Sequence, residues 1–454
     1  MRNNEHLFPK FHARPPRGFV NDPNGPCMID GVFHLYFQYR DATNGSTPVA
    51  WGHVTSSDLA TWTYHRCAIT PVPGGPDSDG VWSGNTVVEG GTVRAFYSGR
   101  VLGTPHQLPL LAVSEDGGAS FGPPRQIIAA PSTADVHTLR DPYVWKISSG
   151  WAMVVGVGTI AGAAEARLFT SPDLEHWEAG GNLASMRRQI INGLDTGEMW
   201  ECPQVVVDKG ELMLIVCGWS RKEGHHRLLS LVGPSGDGTH FDGHPIVAPY
   251  DYGTNLYAVS TMSQSPIGPI AWGWITEGRD AAWSIKEDWS GMLSLPRRIR
   301  PGRTGRVESF PPDSLKSLRV GMIASGSRQA IPVPAQFEFE LSVASGSGEA
   351  QLDLTFSADE RLELVFQGGT GKVTIDRSRA SRDLRVDSAG CEIPARDDAT
   401  STPSRFRGFV DGSVLELFRD DGAVATVRFY PLSPPPWTIE VTAGADDHLD
   451  LWAL

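Results

Sequence analysis

One short motif occurs four times within the first 241 residues of the chain, at intervals of roughly 60 residues. A serine is followed two positions later by an aspartate and then by an aromatic residue, starting at Ser56, Ser114, Ser171 and Ser235. Serine and aspartate side chains close turns by bonding nearby backbone N–H groups, so each copy predicts a hairpin turn. A propeller blade with its loops takes about 40–60 residues, so this period predicts a β-propeller.

A series of polar residues follows the same interval and includes three carboxylates. Asp22, Asp141 and Glu201 belong to it, Ser83 fills the second unit and Asn255 the fifth. Equivalent positions in successive blades lie on the same strand, and the innermost strands of a propeller line its axial channel. We therefore expect the three carboxylates to meet at one mouth of that channel.

The chain changes character after the fifth unit. Five blades need about 300 residues, which predicts a five-bladed β-propeller catalytic domain at residues 1–305. Residues 306–328 are basic and contain proline and glycine, which is typical of a linker. Residues 329–454 alternate between apolar and polar side chains, which predicts a C-terminal β-sandwich and an all-β chain overall.

Composition excludes several classes of partner. The net charge of −13 argues against nucleic acid and anionic membranes. No apolar run approaches the roughly 20 residues that span a bilayer, and the N-terminus lacks the apolar core of a signal peptide. The five cysteines form no closely spaced pair, which favours free thiols and a cytoplasmic location, with secretion as the alternative if a leader was removed. Monomer and homodimer fit the sequence equally well.

Two carboxylates placed across a sugar acetal can cleave it, one as nucleophile and one as general acid. Retention needs carboxyl groups about 5–5.5 Å apart and inversion about 6.5–9.5 Å. Glu201 has apolar neighbours in sequence, a setting that suits the acid. Asp22 lies in a turn whose backbone N–H groups could keep it ionised, which suits the nucleophile. Arg140 precedes Asp141 and could bond sugar hydroxyls or a neighbouring carboxylate.

These residues belong to motifs spread in order over nearly the whole chain. The motifs are NDPNG (21–25), YFQY (36–39), WGH (51–53), WSG (82–84), RDP (140–142), EC (201–202), DYG (251–253), WSGMLSLPR (289–297), DRSR (376–379) and VDGSVLELF (410–418). Together they resemble glycoside hydrolase family 32, the invertase and fructan-hydrolase group.

The resemblance implies a retaining β-fructofuranosidase that releases β-D-fructofuranose from the non-reducing end of sucrose and short fructo-oligosaccharides. It implies that Asp22 is the nucleophile, Glu201 the acid/base and Asp141 the transition-state stabiliser, and that no metal or cofactor takes part. Asp251 is expected beside the leaving glucose. The substrate-binding residues predicted with the trio are Asn21, Gln38, Trp51, Trp82, Ser83, Arg140, Asp251, Asn255 and Trp274.

Three other functions stay open at this point. The same trio could serve a fructosyltransferase that forms fructans or difructose anhydrides, or an exo-fructanase acting on inulin or levan. An inactive fructan-binding protein is the third, and the intact trio argues against it. Arg298 and Asn255 depart from the family pattern at positions that could alter substrate preference. The segment around His225 is predicted to be a solvated loop, since no third ligand at metal-binding spacing accompanies it.

Overall fold

The computed structural model describes residues 4–104, 107–131, 135–302, 304–326, 330–397, 402–442, 444 and 446–454. Strands dominate this part of the chain, and they form a five-bladed propeller followed by two sheets packed face to face. The third and fourth blades share one sheet through the pairing of Gly158 with Met199. The all-β prediction, with a five-bladed propeller before a β-sandwich, is confirmed.

Each blade begins with the strand nearest the axis, and the chain then moves outward. The first blade contains β1 (Gly18–Ile29), β2 (Val32–Arg40), β3 (Ala50–Ser56) and β4 (Thr63–Tyr64). The second contains β5 (Gly80–Glu89), β6 (Thr92–Arg100), β7 (Leu108–Ser114) and β8 (Arg125–Gln126). The third contains β9 (Val136–Ile147), β10 (Gly150–Thr159), β11 (Ala163–Ser171) and β12 (Glu178–Arg187).

The last two blades follow a small hairpin of β13 (Ile190–Ile191) and β14 (Leu194–Asp195). The fourth blade contains β15 (Met199–Asp208), β16 (Glu211–Ser220), β17 (Gly224–Pro234) and β18 (Ile246–Pro249). The fifth contains β19 (Leu256–Met262), β20 (Ile270–Ile275), β22 (Met292–Leu293), β23 (Arg297–Pro301) and β24 (Val307–Phe310). Between β20 and β22 the chain forms α1 (Ala281–Glu287) and β21 (Trp289–Ser290). Strand β21 pairs in parallel with β1 and so closes the ring.

The repeated Ser-x-Asp turns connect the third and fourth strands of blades one to four, as predicted. In each, the buried serine hydroxyl accepts a backbone N–H three or four residues later, at 2.7–3.0 Å: the donors are Leu59, Gly118, Leu174 and Gly238. The aromatic residue of each copy packs against a different apolar cluster between blades. The repeat therefore fixes both the outer turn and the packing of one blade on the next.

The sandwich has twelve strands in two six-stranded sheets within the described residues. They are β25 (Gly321–Ser325), β26 (Ile331–Val333), β27 (Gln336–Val343), β28 (Glu349–Thr355), β29 (Arg361–Gln367), β30 (Val373–Asp376), β31 (Cys391–Ile393), β32 (Ser404–Asp411), β33 (Val414–Arg419), β34 (Val424–Arg428), β35 (Trp437–Thr442) and β36 (His448–Ala453). Alternate residues of these strands fill one apolar core, as the sequence pattern predicts.

The segment predicted to be a linker is largely structured. Its first part is β24, the outer strand of the fifth blade, and its later part is β25, an edge strand of the sandwich. A short 3₁₀ turn (Asp313–Leu318) joins them. Residues 327–329, where the predicted linker meets the predicted sandwich, lie outside the described residues.

A buried ionic cluster joins the two domains and the N-terminal segment. Arg297 of the propeller donates to Asp251 at 2.8 Å and to Glu416 of the sandwich at 2.5 Å. The His12 ring lies between Glu416 and Asp411, with nitrogen–oxygen distances of 3.0 and 2.9 Å. Burial opposes the charge on His12, but the two carboxylates raise its pKa overall. We call these five residues the interdomain cluster.

Candidate active site

Five β-bulges lie at one level around the propeller axis. Each inner strand, β1, β5, β9, β15 and β19, leaves two adjacent residues at this level unpaired with the next strand of its blade, and β1 and β9 have one further irregularity each elsewhere. A bulge bends a strand and redirects its side chains, so each blade turns side chains into the channel here. The unpaired residues are Asn21–Asp22, Trp82–Ser83, Asp141–Pro142, Cys202–Pro203 and Ala258–Val259.

The bulges give a register that differs from the predicted one. Asp22 and Ser83 are the second residues of their bulges, Asp141 is the first, and Glu201 immediately precedes its bulge. The fifth blade contributes Tyr257, which is the counterpart of Glu201, instead of Asn255. Counting residues cannot reveal this, because the connections between blades differ in length by a few residues. The three carboxylates, Ser83 and Tyr257 nevertheless meet in one pocket.

A pocket of about 290 Å³ opens at this level and contains all three predicted catalytic carboxylates. Five of the predicted binding residues also line it. The full lining is Phe19, Asn21, Asp22, Arg40, Val49, Trp82, Ser83, Arg140, Asp141, Glu201, Cys202, His225, Tyr257 and Trp274.

Neutral side chains hold Asp22. Gln38 Nε2 and Ser83 Oγ donate to Oδ2 at 3.1 and 2.5 Å, and Asn21 Nδ2 donates to Oδ1 at 3.1 Å. These side-chain donors take the place of the backbone N–H groups expected from the turn. Burial raises the pKa of Asp22, the hydrogen bond from Ser83 lowers it, and the nearby charge of Glu201 raises it again; the net shift is upward.

Asp141 is the most deeply enclosed of the three carboxylates. Its backbone adopts φ 63°, an uncommon value for a residue other than glycine, which the bulge imposes. The Cys202 N–H donates to Oδ2 at 2.9 Å, and the Ser98 hydroxyl lies 3.3 Å from Oδ1. Burial raises the pKa of Asp141 to about 7, although the charge of Arg140 acts in the opposite direction.

Glu201 has a polar setting, and the apolar one expected from its sequence neighbours is wrong. Arg140 donates to Oε1, and the Tyr257 hydroxyl donates to Oε2 at 2.8 Å. The apolar neighbour Trp200 is fully buried in the core between the third and fourth blades, because successive residues of a strand face opposite sides. The His225 ring stacks on Tyr257, with centroids 4.4 Å apart, and its Nε2 lies 3.9 Å from Oε2.

Several polar atoms in the pocket wall are buried and have no hydrogen-bond partner within the described protein. Buried polar groups in native proteins are nearly always paired, so such a concentration at one place indicates partners supplied by a ligand. A ligand rich in hydroxyl groups, such as a sugar, can both donate and accept these bonds. The atoms are Asn21 Oδ1, Arg40 Nε, Trp82 Nε1, Arg140 Nε and Trp274 Nε1.

Two predicted binding residues lie behind the wall and support it. Gln38 is fully buried and donates to Asp22 and, at 2.6 Å, to Ser83. Trp51 is also fully buried, and its indole N–H donates to the backbone carbonyl of Trp82 at 3.0 Å. Both residues position groups that face the pocket and do not line it themselves.

The structure places Asp251 and Asn255 outside the pocket, so their predicted contact with substrate is wrong in this structure. Asp251 belongs to the interdomain cluster and accepts four hydrogen bonds, from Gly253, Arg297 and both the N–H and the hydroxyl of Thr426. Asn255 Oδ1 accepts from the Arg428 N–H at 3.0 Å. The partners come from the sandwich and from distant propeller residues, which local sequence does not show.

Six residues of the pocket lining were not predicted from the sequence, and three of them, Tyr257, His225 and Arg40, have side chains that bear on the chemistry. Tyr257 stands in the predicted register once the bulge is counted. The loop predicted around His225 is wrong: His225 belongs to β17 and pairs with Trp219, and its half-exposed ring covers Tyr257. Arg40 ends a strand that was recognised only by its YFQY motif. An arginine directly after a motif that contacts the nucleophile is the signal that could have identified it.

Two absences hold for the part of the chain that the structure describes. No group of three or more histidine, cysteine, aspartate or glutamate side chains there has an arrangement suited to a metal ion. None of the helices in that part of the chain has the length and apolar character to cross a membrane.

Comparison with family models matches almost the whole chain. The model described as "Glycosyl hydrolases family 32 N-terminal domain" covers residues 12–309, and "Glycosyl hydrolases family 32 C terminal" covers residues 313–452. The chain belongs to glycosyl hydrolases family 32. It is thus an enzyme of the β-fructofuranosidase group, and both predictions, the family and the enzyme class, are confirmed.

Relatives and solved structures within family 32 align along their full lengths. A sucrose-6-phosphate hydrolase of Bacillus subtilis is 28% identical, over 98% of this chain and 93% of its own. A raffinose invertase of Escherichia coli is 27% identical, over 93% and 90%. The structure of a sucrose-6-phosphate hydrolase from Lactobacillus gasseri superposes with a TM-score of 0.84 at 24% identity, covering 100% and 94%. A fructan 1-exohydrolase from Cichorium intybus gives 0.83 at 21%, covering 99% and 98%.

Proposed function

We propose that this family 32 enzyme is a retaining β-fructofuranosidase that releases β-D-fructofuranose from sucrose and short fructo-oligosaccharides by double displacement. The observation that supports this most is the convergence of three carboxylates in one pocket whose walls carry unpaired buried polar atoms. Two of the carboxylates supply the nucleophile and the acid/base, and the unpaired atoms of Asn21, Arg140 and Trp274 suit the hydroxyls of a furanose ring.

Asp22 is the proposed nucleophile. Its donors are neutral amide and hydroxyl groups, so no salt bridge holds its charge in place. These donors fix the carboxylate's orientation toward the pocket and leave it able to attack the anomeric carbon. In the second half of the reaction the same donors stabilise the carboxylate as it leaves the fructosyl carbon.

Glu201 is the proposed acid and base. It gives a proton to the leaving oxygen in the first step and takes one from water in the second. Negative charge develops on Glu201 during the first step, and both Arg140 and the Tyr257 hydroxyl are placed to stabilise that charge. The same contacts hold the carboxylate in one orientation for both steps.

Asp141 is proposed to bind ring hydroxyls of the fructosyl group. Sugar hydroxyls that donate to this carboxylate would stabilise its ionised form against the effect of burial. An ionised Asp141 then interacts favourably with the positive charge that develops on the sugar ring in the oxocarbenium-like transition state. Binding of the correct sugar would thereby prepare the residue for the chemistry.

The names of the relatives extend the proposed substrates to phosphorylated sucrose. Relatives called sucrose-6-phosphate hydrolase and raffinose invertase align over nine-tenths of the chain or more. We therefore include sucrose-6-phosphate beside sucrose. The five cysteines are free thiols, which supports the predicted cytoplasmic location, where such a phosphorylated sugar would be met.

The test is an incubation with sucrose, sucrose-6-phosphate, 1-kestose, inulin and levan, with products separated by chromatography and the anomer followed by NMR. We expect free fructose, formed first as the β-anomer, with highest kcat/KM on the disaccharides. Asp22→Asn serves as the matched control, because it keeps size and shape and removes the nucleophile.

Each other outcome points elsewhere. Lengthened or cyclised products at low substrate concentration would identify a transferase. Faster release of fructose from inulin or levan than from the disaccharides would identify an exo-fructanase. An initial α-product would contradict the double displacement. Binding of fructans without cleavage would leave only the fructan-binding function.

A further inference from the structure

The pocket mouth carries two arginines at equivalent positions of neighbouring blades. Arg40 is the last residue of β2 and pairs in register with Phe19 of β1. Arg100 is the last residue of β6 and pairs with Gly80 of β5 in the same way. Both inner-strand partners lie on the N-terminal side of their bulge, so both arginines stand farther out along the channel than the catalytic carboxylates.

Arg40 faces the pocket without an acidic partner. No carboxylate of the described residues lies within ion-pair distance of it, and its buried Nε has no hydrogen-bond partner there. The adjacent Asp41 is held by Arg17 and by the Tyr39 hydroxyl. Burial and the nearby charge of Arg100 lower the pKa of Arg40, which only Asp79 opposes.

Arg100 adds a second positive charge behind Arg40. Its Nε is 3.1 Å from Asp79, and its guanidinium lies 5.5 Å from the ring centroid of Trp82. Trp82 lines the pocket, and its indole N–H is a buried donor that also lacks a partner. At the mouth, the guanidinium groups of Arg40 and Arg100 and the indole N–H of Trp82 thus face a single carboxylate, that of Asp79. This local excess of positive charge occurs in a protein whose net charge is −13. Such an excess of donors and positive charge indicates an anionic ligand.

Distance along the strand indicates which part of a substrate would meet these groups. Gln38 contacts Asp22, and Arg40 follows on the same face of β2, about 7 Å farther toward the mouth. A fructosyl group bound at Asp22 fills the inner part of the pocket. The group that leaves from it therefore extends past Trp82 and Arg40.

We propose that Arg40, supported by Arg100 and the indole N–H of Trp82, binds a phosphate group on the leaving sugar. This inference rests on the proposed function, because it presumes that fructose occupies the inner pocket. Sucrose-6-phosphate, whose leaving group is glucose 6-phosphate, is the substrate that fits. A planar guanidinium bonds two phosphate oxygens at once, which a lysine cannot do.

The kinetic test compares kcat/KM on sucrose-6-phosphate and on sucrose for wild type, Arg40→Ala and Arg40→Lys. Arg40→Ala should lose about 10- to 100-fold more kcat/KM on the phosphorylated substrate than on sucrose. The kcat/KM of Arg40→Lys on sucrose-6-phosphate should lie between those of wild type and Arg40→Ala. Arg125→Ala is the matched control, since Arg125 is an exposed arginine at the outer edge of the second blade, paired with Glu175. Equal losses of Arg40→Ala on both substrates would overturn the proposal.

A binding test separates this proposal from the proposed function. Calorimetry with Asp22→Asn should show glucose 6-phosphate binding more tightly than glucose, and Arg40→Ala in that background should abolish the difference. Inorganic phosphate binding as tightly as glucose 6-phosphate would overturn a sugar-phosphate site in favour of a general anion site. If wild type cleaves sucrose as efficiently as sucrose-6-phosphate, the proposed phosphate site is contradicted while the proposed hydrolase activity is supported. If it cleaves neither substrate, the hydrolase fails while calorimetry still decides the phosphate site.

Discussion

The chain buries two groups of carboxylates that are bonded in different ways. In the interdomain cluster, Asp251 and Glu416 both form ion pairs with Arg297. Burial alone would raise the pKa of Glu416, but the charge of Arg297 outweighs it, and the pKa of Glu416 is lowered. In the pocket, burial prevails, and the pKa values of Asp22 and Asp141 are both raised. The first group has its acceptor sites filled by the protein, whereas the second is surrounded by polar atoms that still lack partners.

This difference separates residues that hold the fold from residues that await a ligand. A buried carboxylate whose oxygens are already bonded has no capacity left for a sugar, however closely its motif matches a family. A buried carboxylate whose pKa is raised, beside polar atoms without partners, is destabilising in the empty protein and can bind once a ligand supplies the missing partners. Four predictions test how far this division holds.

The largest effect is expected from the two carboxylates assigned to the chemistry. Glu201→Gln should lose roughly 10³-fold or more in kcat/KM on sucrose, but much less on β-fructosyl fluoride, whose leaving group needs no proton. Asp22→Asn should be crippled on both, because no leaving group replaces a missing nucleophile. Pre-steady-state rates on the two substrates measure this, with circular dichroism as the control for folding. The reverse pattern would show that the two roles are exchanged.

Asp251 should affect stability instead of substrate choice. Asp251→Ala leaves Arg297 with one partner fewer in a buried site, so the free energy of unfolding should fall by about 3 kcal/mol. The ratio of kcat/KM on sucrose to that on inulin should stay unchanged for the folded protein. Urea unfolding and parallel kinetics measure both, and Asp313→Ala at an exposed site is the control. A loss of kcat/KM on sucrose but not on inulin, in a variant of unchanged stability, would show that Asp251 takes part in substrate binding.

Asp141 should make the empty enzyme less stable as pH rises. The folded state keeps this proton up to about pH 7, whereas an unfolded aspartate loses it near pH 4. Stability from the protonated form is therefore full below about pH 4 and is lost as pH rises to about 7. Asp141→Asn does not titrate, so its stability relative to wild type should increase by on the order of 4 kcal/mol from pH 4 to pH 8. Urea unfolding at both pH values checks this; a constant difference would contradict it.

The smallest effect is expected at His225. Its ring stacks on Tyr257, which donates to Glu201, so we expect it to restrict the motion of that tyrosine. Aromatic pairs of this kind contribute about 1 kcal/mol, so His225→Ala should lower kcat about three- to tenfold and change KM less. His225→Phe keeps the stacking and should retain most of the activity. If the phenylalanine variant is as slow as the alanine variant, a ring nitrogen and not the stacking is what matters.

The propeller could be predicted because its turn signals are local. Ser56 and its three counterparts bond N–H groups only three or four residues away, so their spacing appears directly in the sequence. The inner strands were placed correctly for the same reason. The end of the propeller was less accessible, because β24 and β25 lie in a stretch whose proline, glycine and basic residues resemble a linker.

The site was predictable in its carboxylates but not in its surroundings. Motif and interval together brought Asp22, Asp141 and Glu201 to one mouth, where the structure has them. Tyr257 was missed because a bulge adds a residue that spacing alone cannot place. Asp251 was misassigned because Thr426, one of its partners, follows 175 residues later in the chain. The sequence thus located the polar side chain of each blade, whereas contacts between the two domains determined which of these side chains remain available to a substrate.

The ring of bulges also gives the enzyme a modular mouth. The bulge of blade two holds Trp82 and Ser83, and this blade carries none of the three carboxylates. Ser83 bonds the nucleophile, whereas Trp82 lines the outer part of the pocket and its indole N–H has no partner in the described protein. The side chain at position 82 can therefore be exchanged while Asp22 keeps its hydrogen-bond donors. A directed-evolution library at this position would vary the leaving sugar or the acceptor on an unchanged scaffold.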